Sequence, residues 1–378
     1  MKTYQENLFN NLMNLCSSSE SFFFIDKIID GQVYRVFSYR LASYTEFMLT
    51  DGLECRGHTF ALNDGAVNLV CLPPFKFFNI FENPSVMDLD LKNSLLYMDK
   101  RDGSLISTVH DARMPHGFRL KSKTSFDSEQ AIDAYTLLTS KNGLLNVVKS
   151  LVAKRLCVNF ELTSPKNRIV LGYEKPELKI LNVRDLDTGR TIFPHEMIGD
   201  EWCDAYRHIV DYHLNYGKYY TYEEILAMTG IEGYVVLFND GRLVKIKNNW
   251  YCTLHKTKDS INNPKALFQA CLFEASDDLR SLFHDDELAM KQITAMETLV
   301  RKEYNHRSAQ LQKFYDENKL LSRKDYAILA QQTFKDGIFP LAMNLYLGKD
   351  MGLKDWMMKN YREFGITDVP ELEASIGE

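Results

Sequence analysis

The sequence predicts an α+β body of antiparallel strands with helices, followed by an all-helical C-terminal region. Up to about residue 258, short runs of alternating apolar and polar residues are separated by Asp-Gly turns, which is typical of β-hairpins. Residues 128–156 have helical spacing instead, and after residue 258 apolar residues recur only at intervals of three and four. We therefore expect two domains, 1–258 and 259–378, with a boundary near 255–265.

The predicted elements follow in chain order. The strand-like stretches are 21–39, 56–73, 104–123, 158–192 and 232–251. The helical run over 128–156 is expected to break at Asn142-Gly143, and residues 194–230 are expected to be mixed and mostly helical, with a stop at Gly230. Residues 263–283 and 287–304 have the apolar spacing of amphipathic helices.

Composition indicates a globular protein of the cell interior. Of the 378 residues, 45% are hydrophobic and 25% charged, and no apolar run is long enough for a membrane span. The N-terminal residues lack the basic start and apolar centre of a signal peptide. The seven cysteines are scattered without a CxxC pair, which favours reduced thiols. We expect a cytoplasmic protein with no membrane association.

Charge is segregated along the chain. The net charge of −6 does not by itself suggest a nucleic-acid-binding protein. Residues 242–258 nevertheless contain five Lys or Arg and no acid, residues 113–123 contain four and no acid, and residues 274–287 are strongly acidic. Each basic stretch could be an ordinary solvated face. Alternatively, two basic strands line one cleft that receives phosphates.

A lysine before an Asp-Gly pair is the most informative feature. Alone, the K-x-D-G pattern at residues 100–103 is a weak signal, because Asp102-Gly103 could be a simple hairpin turn. Two further lysines, Lys245 and Lys247, are two apart on a predicted strand and therefore project from the same face. The ordered series is much more specific than any one member: Arg56, Lys100, Glu161, Glu232, Lys245 and Lys247.

These elements resemble the motif series of the covalent nucleotidyltransferases, which include ATP-dependent DNA and RNA ligases and mRNA capping enzymes. The chain is most similar to the T-even phage RNA ligase 1 family. The stretches that carry this resemblance are FSYRLASY, LECRG, KFFNIFENP, KRDGSLIST, LNVR, EGYV, KIKNNWYCTLH and NPKALF followed by ASDDL. The similarity extends to about residue 290 and is thinner over 190–230 and beyond 290.

The resemblance implies roles for individual residues. Lys100 would attack the α-phosphate of ATP and carry AMP as a covalent adduct. The positions implied to contact the nucleotide are Tyr39, Arg56, Lys76, Lys100, Glu161, Glu232, Lys245 and Lys247. Among these, Glu161 would bind the ribose, the two strand lysines would contact phosphates, and Glu232 would lie near the metal and the α-phosphate.

Two further residues receive implied roles. Asp277 matches a position associated with the divalent ion, Mg²⁺ or alternatively Mn²⁺. Tyr251 resembles an aromatic residue needed for the later steps of ligation.

The implied chemistry suits these residue types. A lysine attacks only as a free amine, and neighbouring cations and burial favour that form. Lys245, Lys247 and a divalent ion can supply the positive field and neutralise pyrophosphate as it leaves. Gly103 is expected to let the backbone approach the nucleotide closely.

Each assignment has a structural alternative. Tyr39 and Tyr251 could be aromatic residues packed on a sheet, which is the commoner place for tyrosine. Arg56 could be an ion-pair partner, Asp277 a solvated helix residue, and Glu161 a half-exposed strand carboxylate.

Several functions share the lysine chemistry. A DNA ligase or a capping guanylyltransferase usually continues into a small β-barrel, whereas the region after residue 258 has helical spacing, which favours an RNA ligase. A non-catalytic nucleic-acid-binding protein would use its lysines only for phosphates, and Glu161 and Glu232 count against it. The resemblance implies a phage enzyme of the host cytoplasm that seals RNA, such as a broken tRNA anticodon loop, after an end-healing kinase/phosphatase has acted. The helical domain would dock that RNA.

Overall fold

The computed structural model divides the chain into two compact units, Met1–His255 and Lys256–Glu378. It describes residues 3–63, 65–166, 171, 173–254, 261, 263–334 and 337–366. Some features of the sequence analysis lie outside these residues: Asp64, residues 167–170, the basic residues Lys256 and Lys258, and the 258/259 boundary.

The first unit contains all the described strands. They are β1 (Phe22–Ile29), β2 (Gln32–Tyr39), β3 (Thr59–Asn63), β4 (Ala66–Cys71), β5 (Phe78–Asn79), β6 (Ser94–Asp99), β7 (Ser104–His110), β8 (Phe118–Lys121), β9 (Leu156–Thr163), β10 (Glu177–Asp185), β11 (Thr191–Ile192), β12 (Tyr212–Leu214), β13 (Gly233–Phe238) and β14 (Leu243–Lys247). They form three sheets, ordered β1-β2-β3-β4, β11-β10-β9-β7-β8 and β12-β6-β13-β14-β5. The short β5–β14 pair is parallel and the other strand pairs are antiparallel.

Helices occur in both units. The first unit has α1 (Tyr4–Ser18), α2 (Tyr44–Phe47), α3 (Glu129–Thr139), α4 (Asn142–Ala153), α5 (Tyr222–Ala227) and α6 (Asn249–Leu254). The second unit has α7 (Pro264–Leu272), α8 (Ser276–Leu282), α9 (Glu287–Asn318), α10 (Arg323–Thr333), α11 (Phe339–Tyr346) and α12 (Leu353–Lys359). The described part of the second unit has helices and turns but no strand, so the predicted fold class is confirmed. Among the described helices, none has the length and apolar character to cross a bilayer.

One local prediction was wrong. Residues 194–230 contain only one α-helix, α5, together with short 3₁₀ turns and β12. Pro194 and the positive-φ glycines Gly199 and Gly217 interrupt that stretch, which prevents a longer helix. Residues 100–103 do not form the hairpin turn that was the structural alternative for this pattern, because β6 lies in the third sheet and β7 in the second.

Packing of helices on the second sheet leaves its opposite face available for polar residues. The apolar face of α4 buries Leu144, Val148 and Leu151 in the same cluster as Phe160 of β9. Each such side chain contributes about 2 kcal/mol by burial. Because side chains alternate along a strand, Glu161 projects from the other face of β9.

The basic stretch 113–123 is mainly structural. Arg113 and Arg119 donate to the carboxylate of Asp111 at 2.8 and 2.7 Å. Lys121 is buried, and its amine donates to the carbonyl oxygens of Gly57 and Lys123 at 2.7 and 3.0 Å. All three cations therefore have partners within the protein, although the Arg113 side chain is still 42% exposed. The interpretation that this stretch lines a phosphate cleft stays a prediction.

Candidate active site

Lys100 lies directly after β6, where the chain leaves the third sheet for the second. Its backbone N–H donates to the carbonyl of Gly233 at 2.9 Å. Its amine Nζ lies 2.8 Å from Oε1 of Glu232, and the two side chains are 22% and 2% exposed. An ammonium group in so enclosed a position needs a partner, and this one has a buried carboxylate. Lys100 is therefore not a freely solvated surface charge.

Glu232 joins two of the predicted lysines. Nζ of Lys247 lies 3.5 Å from the same Oε1 that contacts Lys100. The other oxygen, Oε2, is buried and accepts no hydrogen bond from the described residues. A buried carboxylate oxygen without a donor is costly unless a ligand completes its coordination. Carboxylate oxygens are the ligands that Mg²⁺ prefers, so Glu232 fits a divalent ion.

Pairing of β13 with β14 sets the direction of the strand lysines. Lys247 is opposite Gly233 and Lys245 is opposite Val235. Along β14 the lysines are half-buried while the intervening residues are buried, which confirms the alternation that the sequence predicts. Gly233 has a φ of +145°, and a Cβ there would lie 1.9 Å from the carbonyl oxygen of Ile246. A glycine after Glu232 is therefore required for the two strands to pair.

Asp102 holds the segment after Lys100 in place. Its side chain is 2% exposed. Oδ1 accepts a hydrogen bond from the Tyr251 hydroxyl at 2.9 Å, and Oδ2 accepts one from the Leu171 backbone at 2.7 Å. The Asp102 N–H donates to the hydroxyl of Tyr173 at 3.0 Å. In the sequence, Asp102 has only the pattern of a turn residue, and no pattern marks Tyr173 as a site residue.

The packing around residue 103 requires a glycine. A Cβ at this position would lie 2.3 Å from the carbonyl oxygen of Leu162 on β9. The close approach that the structure shows for this glycine is therefore to the neighbouring strand. The expectation that Gly103 also lets the backbone approach the nucleotide stays a prediction.

Tyr251 is positioned by the start of α6. Asn248 Oδ1 accepts from the Tyr251 N–H at 2.7 Å, and Asn248 Nδ2 donates to the carbonyl of Ile231 at 2.6 Å. This arrangement places the buried Tyr251 ring 5.5 Å from Nζ of Lys247 and its hydroxyl on Asp102. Tyr251 is thus a helix residue, and the alternative of an aromatic packed on a strand does not apply.

Glu161 shares the electrostatic environment of Lys100. Its Oε1 accepts a hydrogen bond from the Gly103 N–H at 3.1 Å. The pKa of Glu161 is raised to about 7, chiefly by burial and also by the charge of Glu232, while the charges of Lys100 and Arg56 act to lower it. These four predicted side chains, from four segments of the chain, therefore lie close enough to interact electrostatically.

The raised pKa of Glu161 predicts a pH-dependent stability. Its folded value of about 7 exceeds the ordinary value of 4.5, so stability is present below that ordinary value and is lost as the pH rises to about 7. The loss is on the order of 3 kcal/mol. Glu161→Gln keeps the acceptor but cannot ionise. We expect thermal denaturation to show the variant gaining stability over the wild type between pH 5 and pH 8. An equal difference at both pH values would contradict this.

Arg56 and Lys76 lie on two neighbouring loops. Arg56 Nη1 donates to the carbonyl of Pro74 at 3.2 Å, and the Lys76 N–H donates to the carbonyl of Leu53 at 2.8 Å. The positive charge of Arg56 acts to lower the pKa of Glu161. Among the residues that the structure describes, no carboxylate forms an ion pair with Arg56, so the ion-pair alternative has no support there.

Tyr39 and Lys76 share one aromatic neighbour. The Tyr39 ring contacts the Phe47 ring edge-on at 4.8 Å, and Nζ of Lys123 lies 4.0 Å above the Tyr39 ring. Nζ of Lys76 lies 5.7 Å from the Phe47 ring. Lys123 was not singled out as a site residue, although it belongs to the basic stretch noted in the sequence.

Asp277 belongs to the second unit. It lies in the first turn of α8, and its Oδ1 accepts a hydrogen bond from the Asp278 N–H at 3.0 Å. Within the residues that the structure describes, no group of three or more metal-ligating side chains occurs. The role of Asp277 in metal binding stays a prediction.

Lys100 and Glu232 border a cavity of about 220 Å³ in the first unit. Aromatic and charged side chains share its wall: Asp99, Arg101, Tyr173 and Trp250. Tyr173 and Trp250 could not be recognised as site residues from the sequence, since a single aromatic residue has no pattern that distinguishes a site from a packed core.

Antiparallel sheets that hold a lysine against a buried carboxylate, beside two strand lysines and a second carboxylate, present the residue set expected of a covalent nucleotidyltransferase. Within this class, two RNA ligase family models match the chain. The family model described as RNA ligase matches residues 54–251, and the model for the T4 RNA ligase 1 C-terminal domain matches residues 258–368. The chain belongs to the T4 RNA ligase 1 family, which confirms the resemblance seen in the sequence.

The individual proteins that this chain resembles share 30% sequence identity with it or less. A Thermovibrio ammonificans protein described as "Putative RNA ligase" is 30% identical over 254 residues, and the match spans 64% of each chain. The structure of an archaeal ATP-dependent RNA ligase is 13% identical to this chain, and its superposition covers 79% of each chain with a TM-score of 0.46. A Naegleria gruberi RNA ligase with pyrophosphate shares 13% identity and a TM-score of 0.37, covering 62% of this chain and 77% of that one.

Proposed function

We propose that this protein is an ATP-dependent RNA ligase that joins an RNA 5′-phosphate to a 3′-hydroxyl through lysyl–AMP and RNA-adenylate intermediates. The observation that carries the proposal is the position of Lys100, 2.8 Å from a buried Glu232 that Lys247 also contacts. Membership of the RNA ligase family supports the same activity.

The first step forms the adduct. Nζ of Lys100, as a free amine, attacks the α-phosphate of ATP; a P–N bond forms and the bond to pyrophosphate breaks. Glu232 Oε1 lies at hydrogen-bond distance and can hold the amine proton. Lys245 and Lys247 stabilise the negative charge of the departing pyrophosphate. A bound Mg²⁺ or Mn²⁺ would add further charge neutralisation, and Glu232 Oε2 is the atom that fits it.

The nucleotide would occupy the space around Lys100. Arg56 and Lys76 would contact it together with Tyr39, and Glu161 would accept a hydrogen bond from the ribose. The Tyr173 and Trp250 side chains give the adjoining cavity aromatic surface on which a base can pack.

The later steps use the same site. The RNA 5′-phosphate attacks the lysyl–AMP, which frees the Lys100 amine and leaves AMP on the RNA. The 3′-hydroxyl then attacks that 5′-phosphate and releases AMP. Tyr251 would act here through Asp102, whose carboxylate its hydroxyl contacts at 2.9 Å.

The biological setting extends the same proposal. Residues 1–258 would form the adenylation domain and residues 259–378 would dock structured RNA, with Asp277 contributing to metal binding. The substrate would be a nicked RNA loop, such as a tRNA anticodon loop, in the cytoplasm of a phage-infected cell. An end-healing kinase/phosphatase would prepare the ends.

A DNA ligase or capping enzyme is the second candidate because it shares the lysine chemistry. Such enzymes usually place a small β-barrel after the catalytic domain. The helices of the second unit favour the RNA ligase.

Circularisation distinguishes these activities. The protein is incubated with ATP, Mg²⁺ and a single-stranded 5′-phosphorylated RNA, with a DNA of the same sequence in parallel, and phosphatase-resistant circles are measured. We expect circles from RNA and few or none from DNA. An adduct formed only with GTP, or sealing restricted to nicked duplex DNA, would assign the protein to the other branch.

A further inference from the structure

We propose that the ion pair between the buried Arg184 and the half-buried Glu54 holds Arg56 and Lys76 in position to bind the nucleotide. This inference rests on the proposed function, since it assigns a role in ATP binding. Neither Glu54 nor Arg184 belongs to the residues assigned to the nucleotide above, and both lie outside the cavity beside Lys100.

The pair is bidentate and enclosed. Arg184 on β10 is 2% exposed, and its Nη1 and Nη2 donate to the two carboxylate oxygens of Glu54 at 2.7 and 2.8 Å. His58 Nε2 lies 2.7 Å from the same Glu54 carboxylate. The pKa of Glu54 is accordingly held well below its ordinary value by Arg184 and His58. Glu54 and His58, which lie two residues before and two residues after Arg56, therefore hold the loop that carries Arg56 in place.

Arg184 also forms a hydrogen bond with the loop that carries Lys76. Its Nη1 donates to the carbonyl of Pro73 at 2.9 Å, and its guanidinium lies 5.7 Å from the Phe75 ring. The next carbonyl, that of Pro74, accepts from Arg56 at 3.2 Å. Two consecutive carbonyl groups of this loop therefore accept hydrogen bonds from two different arginines, Arg184 and Arg56.

The two loops are joined to each other and to the phosphate-binding strand. The Lys76 N–H donates to the carbonyl of Leu53 at 2.8 Å. Shortly after Lys76, Asn79 of β5 pairs with Lys245 of β14. A shift of Arg184 would therefore be transmitted to Arg56 and Lys76 along one continuous segment.

The energetics argue for positioning over stability. Burying two charges costs desolvation that their attraction only partly repays, and replacing a whole buried pair by uncharged residues is often neutral for stability. Removing one member is strongly destabilising because it strands the other charge. A variant that removes both charges therefore separates folding from positioning.

The decisive variant is Glu54→Gln combined with Arg184→Met. Self-adenylation is measured against ATP concentration, with thermal denaturation in parallel. We expect a folded protein whose KM for ATP, the concentration that gives half the limiting rate of adduct formation, is raised roughly 10- to 100-fold. The limiting rate constant itself should stay within about twofold of the wild type, because misplaced contacts weaken ground-state and transition-state binding equally. Arg184→Lys, which keeps the charge but loses the bidentate fork, should raise KM less.

A matched control is Arg119→Met. Arg119 is a partly buried arginine whose ion pairs, among the described residues, are with Asp111 and Asp30 and not with either loop. Its loss should lower thermal stability and leave the KM for ATP within about twofold of the wild type. Arg56→Ala combined with Arg184→Lys completes a double-mutant cycle, and the two effects on KM should not multiply if Arg184 acts through Arg56.

A folded double variant with wild-type KM, or multiplicative effects in the cycle, would overturn the inference. If the Gln/Met variant does not fold, Arg184→Lys and its cycle give the same answer. A wild-type protein that forms no adduct would refute the proposed function instead, so the two failures are distinguishable.

Discussion

Replacing Lys100 with alanine is expected to abolish formation of a covalent AMP adduct. The lysine amine is the nucleophile in the proposed first step, and its position against Glu232 leaves the amine beside the cavity that would receive ATP. Intact-mass measurement after incubation with ATP and Mg²⁺ should show one AMP per wild-type chain and none on the variant. Lys100→Arg should also show none, because a guanidinium keeps the charge but stays protonated.

Lys154→Ala serves as the control for this prediction. Lys154 is an exposed lysine that pairs with Glu201 at the surface of the same unit. Its removal should leave adduct formation unchanged. An adduct that persists in Lys100→Ala would show that another nucleophile carries the nucleotide.

Replacing Glu232 with glutamine should slow adduct formation on the order of 100-fold or more. Glutamine keeps the shape of the side chain but cannot accept the amine proton and provides a weaker metal ligand than a carboxylate. Rapid-quench measurement of adduct formation at saturating ATP isolates this step from binding. Raising the Mg²⁺ concentration should restore little of the rate, since the proton acceptor is also lost.

Glu177→Gln is the matched control. Glu177 is an acid on β10 that pairs with Arg101, a residue lining the same cavity, but it is itself 47% exposed. Its loss should change the rate by no more than about twofold, since an exposed ion pair contributes little. Equal effects of the two substitutions would mean that Glu232 contributes only a general negative charge.

Local patterns account for the elements that could be predicted. The hairpin β1–β2 follows from an Asp-Gly turn between apolar runs, and β13–β14 follows from Asp240-Gly241 in the same way. The alternation around Lys245 and Lys247 likewise depends only on the strand repeat. The order of the motifs along the chain was sufficient to predict that Lys100, Glu161 and Glu232 belong to one site.

Contacts between distant segments could not be predicted. The K-x-D-G segment has the local appearance of a hairpin turn, and only the sheet order shows that it crosses between sheets. The hydrogen bond of Tyr251 to Asp102, and the grip of Arg184 on Glu54, depend on chain segments that only the tertiary fold brings together. A buried arginine on a strand has no sequence pattern of its own.

The most direct test of the account follows labelled AMP from the protein to RNA. The protein is labelled with [α-³²P]ATP, freed of nucleotide, and mixed with 5′-phosphorylated RNA in Mg²⁺ without ATP. We predict that label leaves the protein, appears on the RNA 5′ end and is then released as AMP while the RNA is sealed. Label that stays on the protein in the presence of RNA, and leaves only when pyrophosphate is added, would contradict the account.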